Sequence, residues 1–155
     1  DLLKGDTSNL AEKVDKLLGR THSLEKDLES MRARYISTVG SELASKARMS
    51  ASGIKVVAER VEDVDTDTLK GIVDDLRVRL RSGVVALCSA MGSNGVLVAG
   101  VTSDLSSKVN AGALVKEASK AAGGKGGGRA DFAQAGGLDP SMLGVAIEKV
   151  VKLVQ

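Results

Sequence analysis

Apolar residues recur along the first part of the chain at Leu10, Val14, Leu17, Leu24, Leu28, Met31 and Tyr35, with Thr21 completing the register. The steps alternate four and three, which is the a/d seam of a coiled coil, sustained for more than three heptads. Glu12, Lys16, Glu25, Lys26 and Glu29 flank it, as on exposed coiled-coil faces. The pattern predicts a helix about 39 Å long over residues 10–35, at 1.5 Å per residue. A second, weaker helix is predicted from Ile36 to Ser50, with Val39, Leu43 and Ala47 on one face. Gly40 weakens it and the Ser50–Gly53 stretch ends it. Such a seam needs a partner: the second helix folded back, the same helix of another copy, or sequence further upstream.

Beyond Gly53 the period changes. Ile54–Glu62 is Val-rich and reads as a strand running into an acidic turn, Asp63–Asp67. Thr66 or Asp67 then caps a helix with Leu69, Ile72, Val73, Leu76 and Leu80 on one face. Its last turn is basic, with Arg77, Arg79 and Arg81, and Gly83 ends it. Gly83–Met91 is almost wholly apolar and reads as a central strand. Ser93-Asn94-Gly95 signals a hairpin, with Val96–Val101 returning. Asn110–Ala122 is a helix with Leu114, Val115, Ala118 and Ala122 inward. A glycine-rich loop fills 123–137. Asp139 caps a last helix with Pro140 at its first position, and Leu143, Ile147, Val150, Val151 and Val154 form its apolar face. The fold class is α+β: N-terminal coiled-coil helices in residues 1–53, then a small mixed α/β globular domain in 54–155, with a sheet of three or more strands and helices against it.

The 155 residues, 43% hydrophobic and 27% charged, form a globular composition. Tyr35 and Phe132 are the only aromatics, which excludes an aromatic base-stacking platform. The longest apolar run, Val84–Cys88, is far short of the ~20 residues of a membrane span. One cysteine, Cys88, excludes a disulfide framework and points to a reducing compartment. With His22 as the single histidine, no Cys/His zinc site can be assembled from this chain. The chain opens at Asp1 without an initiator Met or a signal peptide, and so reads as a piece of something longer. Residues 106–155 carry seven basic and four acidic side chains, so an anionic partner would be drawn there.

The most informative stretch runs GGKGGGRADFAQAGG, residues 123–137. Seven glycines in fifteen residues cost backbone entropy, so packing alone does not account for them. Glycine lets successive N–H groups converge on a phosphate, and Lys125 and Arg129 add positive charge. The helix N-terminus at Asp139 is a further candidate anion site. The stretch matches neither a P-loop nor a dinucleotide-binding fingerprint. Two readings stand side by side: direct phosphate contact, or a tight connection that shapes the domain while a partner touches another face.

This stretch resembles the signature of the C-terminal appendage of alanyl-tRNA synthetases, called C-Ala. The order of elements around it is similar too, from the coiled coil through GIKVVAERVE, DTLKGIVDDLRVRLRSG, GVVALCSA and the VTSDL-like segment to the last helix. Ala130 stands where the usual motif has Pro, and Phe132 where it often has Met. The resemblance implies a tRNA-binding domain that contacts the elbow of alanine tRNA, so that aminoacylation and editing centres share one tRNA. It implies a globular part similar to the small domain of DHH-type phosphoesterases, a parent alanine–tRNA ligase that would use ATP, magnesium and zinc, other synthetase domains as partners, and a cytoplasmic or organellar location. For this fragment it implies no cofactor and no catalytic residue: the Asp-His-His motif, the ATP motifs and the editing histidines are missing. The shared motif carries over to Gly123, Gly124, Lys125, Gly126, Gly127, Gly128 and Arg129.

Lys116 and Lys120, four apart on one helix, add a basic stripe to that candidate tRNA-binding set, against the alternative of an ordinary solvated face. The Arg77, Arg79, Arg81 cluster is explained by the helix C-terminal dipole. His22 reads as a solvated helix residue and Cys88 as a buried inert thiol. Asp63, Asp65 and Asp67 read as an acidic turn plus a cap. The alternative function is an oligomerisation module that no longer binds tRNA, a homodimer through Leu10, Val14, Leu17, Leu24, Leu28 and Met31 in residues 10–35.

Overall fold

A computed structural model describes residues 7–155; the first six residues of the expected helical region lie outside the described residues. The chain divides after Tyr35 into two compact units. The first helix, α1, runs unbroken from Thr7 to Ser45 and carries the seam in residues 10–35. Expecting two helices there was incorrect. Gly40 does not interrupt α1: it is buried where the Asp75 carboxylate comes up against the helix backbone, in space a Cβ would occupy. The helical cost of glycine, about 1 kcal/mol, is offset by that approach. Arg79 completes the clamp, bonding Asp75 Oδ2 at 2.5 Å and Ser37 Oγ at 3.0 Å. Residues 36–45 are therefore the end of α1 and not a return helix for the seam.

The second unit holds a six-stranded sheet. In chain order it comprises β1 (Arg48–Met49), β2 (Lys55–Arg60), α2 (Thr66–Leu80), β3 (Val84–Met91), β4 (Asn94–Val101), α3 (Ala111–Ala121), β5 (Lys125–Gly128), β6 (Phe132–Leu138), a 3₁₀ turn (Pro140–Met142) and α4 (Leu143–Val154). The strand order is β1-β2-β3-β4-β6-β5. Only β2 and β3 are parallel, joined by the α2 crossover; the other pairs are antiparallel.

Side chains alternate across β3 into two cores, so the almost wholly apolar run is buried on both faces. Val84, Ala86 and Cys88 meet α3 and α4, through Leu114, Val115, Leu143 and Val150. Val85 and Leu87 meet α2, through Leu69, Ile72 and Leu76, together with Leu43 from α1.

Local signals account for most boundaries. Asp65, rather than Thr66 or Asp67, caps α2: its carboxylate accepts from Thr68 N at 2.8 Å. Arg81, at φ 61°, and not Gly83 takes the left-handed conformation after α2. Gly83 is instead needed for space: a Cβ there would lie 2.8 Å from Lys55 O. The β3–β4 turn sits one residue earlier than expected, at Gly92 and Ser93.

The glycine-rich segment is the largest departure. It is not a loop but the antiparallel β5–β6 hairpin, so the order is β-α-β-β-α-β-β-α after β1. Glycine has low strand propensity, and β5 has almost no side chains to alternate. One extra residue in β6 makes a bulge opposite Gly95–Leu97, and Gly137 at φ 68° supplies the left-handed turn it needs.

Candidate nucleic-acid interface

The hairpin is fixed by its backbone. Arg129 N donates to Phe132 O at 2.9 Å and closes the turn. Val101 N donates to Asp131 O at 2.9 Å. The first N–H groups of α3 donate into the same turn, Ala111 N to Ala130 O at 2.9 Å and Gly112 N to Arg129 O at 3.0 Å. This helix N-terminus is thus filled by protein carbonyls. So is the candidate anion site at Asp139: its carboxylate accepts from Ser141 N at 2.9 Å and Ser141 Oγ at 2.6 Å. Those bonds hold the Asp139 carboxyl below its ordinary range and leave a negative charge where an anion was expected.

The register of β5 against β6 pairs Lys125 with Gly136, Gly126 with Ala135, Gly127 with Gln134 and Gly128 with Ala133. Gly126 and Gly128 face the α3 side: a Cβ on Gly126 would lie 2.8 Å from Val115 Cγ1, and one on Gly128 2.6 Å from Ala133 Cα. They are glycine because β6 leaves no room for a methyl group at either position, and at Gly126 α3 closes in as well. Lys125, Gly127 and Arg129 face the other way, beside the exposed Gln134 and Gly136. A Cβ on Gly127 or on Gly136 would meet nothing within 4 Å. On this half of the sheet face Gly127 and Gly136 leave two bare positions, the exposed Gln134 stands opposite Gly127, and Lys125 and Arg129 bound it.

The backbone N–H groups do not converge as a nest. With Arg129 and Phe132 bonded, ladder alternation uses the N–H groups of Lys125 and Gly127 and turns those of Gly126 and Gly128 outward along the sheet edge. These two are about 7 Å apart.

Lys125 is exposed and has no ion-pair partner among the described residues. Arg129 is held by Asp131: Nε to Oδ1 at 2.9 Å and Nη2 to Oδ2 at 3.1 Å. That fork keeps the Asp131 carboxyl below its ordinary range. Lys116 and Lys120 lie elsewhere. They project from α3, on the opposite side of the sheet, and Lys120 pairs with Glu117 at 2.8 Å. Of the seven motif residues, Lys125, Gly126, Gly127 and Gly128 form β5 while Gly123, Gly124 and Arg129 flank it, and the basic stripe is not continuous with them.

Arg77, expected only to complement the helix dipole, also reaches this site. Its stem crosses β4 at Gly100, where a Cβ would lie 2.6 Å from Arg77 Cδ, and its Nη2 is 3.9 Å from Asp131 Oδ2. The alternation of buried Ala133 and Ala135 with exposed Gln134 and Gly136 was the signal that a strand, not a loop, carries Arg129 to this place.

The seam residues Leu10, Val14, Leu17, Leu24, Leu28, Met31 and Tyr35 are all exposed, by 42–69%. Thr21 Oγ1 bonds back to Leu17 O. His22 is exposed on the same helix. Burial pushes the Cys88 thiol up to about 12, so it stays protonated. Among the described residues, no group of three or more His, Cys, Asp or Glu side chains is placed to hold a metal ion, and no helix is long and apolar enough to cross a membrane.

A family model described as the DHHA1 domain matches residues 53–155. The alanine–tRNA ligase of Haemophilus influenzae (strain PittGG) is 40% identical over 148 residues, 96% of this chain and 17% of that protein. The alanine–tRNA ligase of Pseudomonas syringae pv. tomato is 42% identical over 154 residues, 99% of this chain and 18% of that protein. The chain therefore spans less than a fifth of the relatives it matches. The solved C-Ala domain from Aquifex aeolicus alanyl-tRNA synthetase superposes with TM-score 0.62 at 32% identity, over 68% of this chain and 94% of that one. RecJ from Thermus thermophilus, solved in complex with Mg2+, shares the fold, with TM-score 0.62 at 14% identity over 98% of this chain and 21% of that one.

Proposed function

The chain belongs to the DHHA1 domain family, in its C-Ala form, and from that premise we propose that it is the tRNA-binding C-terminal domain of an alanyl-tRNA synthetase. The parent would be an ATP-dependent alanine–tRNA ligase. ATP, magnesium and zinc chemistry would belong to its other domains, and this domain would hold the elbow of alanine tRNA so that the aminoacylation and editing centres share it. The observation that carries this reading is the uncovered face of β5 and β6, flat at Gly127 and Gly136 and bounded by Lys125 and Arg129, in a chain that matches alanine–tRNA ligases over nearly its whole length.

Structured RNA is held by shape and by phosphate and 2′-OH contacts. The bare positions at Gly127 and Gly136 let a ribose–phosphate backbone lie close to the sheet there. Lys125 and Arg129 then neutralise phosphates, and each neutralised phosphate releases counterions and steepens the salt dependence. Anisotropy titration of alanine tRNA at two salt concentrations tests this, beside an acceptor-stem minihelix that lacks the elbow. Binding to the tRNA but not the minihelix, weakened by salt and by Lys125→Ala, is expected. Equal binding to both RNAs would place the contact away from the elbow, and no binding at low salt would refute the reading.

A second reading rests on the exposed seam. Seven large or aromatic side chains at heptad spacing on one helix favour pairing with the same helix of a second copy, and this homodimer is compatible with tRNA binding.

A further inference from the structure

Asp131 occupies the side-on fork of Arg129 through Nε and Nη2, so a phosphate can take that bidentate fork only by displacing the carboxylate. The turn that carries the pair is anchored by backbone bonds from Val101, Ala111 and Gly112, so only side chains are free to rearrange. On the other flank of Asp131 lies Arg77. Its Nη1 is 3.3 Å from Asp74 Oδ1, and its Nη2 is 3.9 Å from Asp131 Oδ2. Its Nε is buried and has no hydrogen-bond partner among the described residues. Nε and Nη2 form the same side-on fork that Arg129 uses. One tooth already reaches toward Asp131, and the other is unsatisfied, an arrangement that costs free energy until a carboxylate fills it.

We propose that Asp131 is an exchangeable counter-ion, which passes from Arg129 to Arg77 when an RNA phosphate takes Arg129. This rests on the RNA-binding reading of the β5–β6 face. In the free chain Asp131 stands in for phosphate and keeps Arg129 from promiscuous anions. In the bound chain the carboxylate closes the Arg77 fork, which removes its repulsion from the incoming phosphate and satisfies the orphan Nε–H. Arg77 is then a positioning residue: it touches Asp131 and not the RNA.

A double-mutant cycle on the whole chain tests this. Arg77→Met keeps the stem over Gly100 and removes the fork; Asp131→Asn removes the counter-ion charge. Melting temperatures check that each variant folds. Asp131→Asn is expected to tighten tRNA binding about two- to five-fold, the range of an exposed ion pair. Arg77→Met is expected to weaken binding by a similar factor when Asp131 is present, to have no effect in the Asp131→Asn background, and to leave the salt slope unchanged. Equal losses in both backgrounds with a shallower slope would mean that Arg77 contacts a phosphate itself, and no loss with Asp131 in place would remove its role; either overturns the proposal. If the wild-type chain binds no tRNA at low salt, the RNA reading falls. Inorganic phosphate then decides the exchange alone, through the arginine Nε–Hε resonances: movement of both the Arg129 and Arg77 signals supports it, and an unmoved Arg77 signal overturns it.

Discussion

A methyl group tells two neighbouring glycines apart. On Gly128 it would press on Ala133 Cα and Phe132 O, each at 2.6 Å, and neither backbone can yield. Gly128→Ala should destabilise the chain by about 1–3 kcal/mol, read as a lowered urea midpoint. On Gly127 the methyl meets nothing. Gly127→Ala should leave the midpoint unchanged or raise stability by about 0.4–1 kcal/mol, yet weaken tRNA binding, because the methyl stands on the proposed RNA face. Similar losses of stability from both would contradict the assigned facing of β5. The sequence alone did not separate these glycines, because their difference lies in what approaches from α3 and β6. Cys88 was legible as an inert thiol from its apolar run; its thiol, raised to about 12 by burial, should react with a disulfide reagent only after denaturation. Four carboxyls, Asp104, Glu117, Asp131 and Asp139, are held below their ordinary values, chiefly by hydrogen bonds from Ser82, Lys120, Arg129 and Ser141. A lowered folded-state pKa means stability that is present above the unfolded value and lost as pH falls through the folded one. Thermal melts should therefore lose stability only below about pH 4, and less steeply in Asp139→Asn.

At the scale of elements, the heptad spacing predicts a helix over residues 10–35 and α1 is one, but it continues to Ser45 as a single helix where two were expected. Heptad spacing is written in the sequence. What carries the helix through Gly40 is written in α2, where Asp75 and Arg79 clamp the backbone near Ser37. The seam leaves a large apolar stripe exposed. Sedimentation equilibrium should show concentration-dependent dimers, and Leu17→Lys with Leu24→Lys should return the chain to monomer without lowering the melting temperature of residues 36–155. A chain that stays monomeric at all concentrations would sink the coiled-coil reading. The β5–β6 hairpin failed the opposite test. Its alternation is present, Ala133 and Ala135 against Gln134 and Gly136, but only on one strand. Strand periodicity is read from side chains, and β5 offers only Lys125.

At the scale of the molecule, the α/β body was legible because its centre obeys simple rules. An almost wholly apolar run became a strand buried on both faces, and a helix between two strands became a parallel crossover. The candidate site was legible as a motif but not as a surface: register decides which residues of β5 and β6 share a face, and the packing of α3 puts Lys116 and Lys120 on the other side of the sheet from Lys125 and Arg129. The same register has a kinetic side. The β3–β4 hairpin pairs eight residues on each strand, across a two-residue turn, with apolar contacts on both faces. It closes the shortest loop for the most burial and is the cheapest structure to form early. The β5 strand is held by main-chain bonds on one side only and contributes almost nothing apolar. It should be last to form and first to open, so that the amides of residues 126–128 exchange with solvent deuterium well before those of residues 85–88. The surface assigned to RNA would then be the most loosely held part of the sheet, and a bound tRNA should slow exchange there more than anywhere else in the domain.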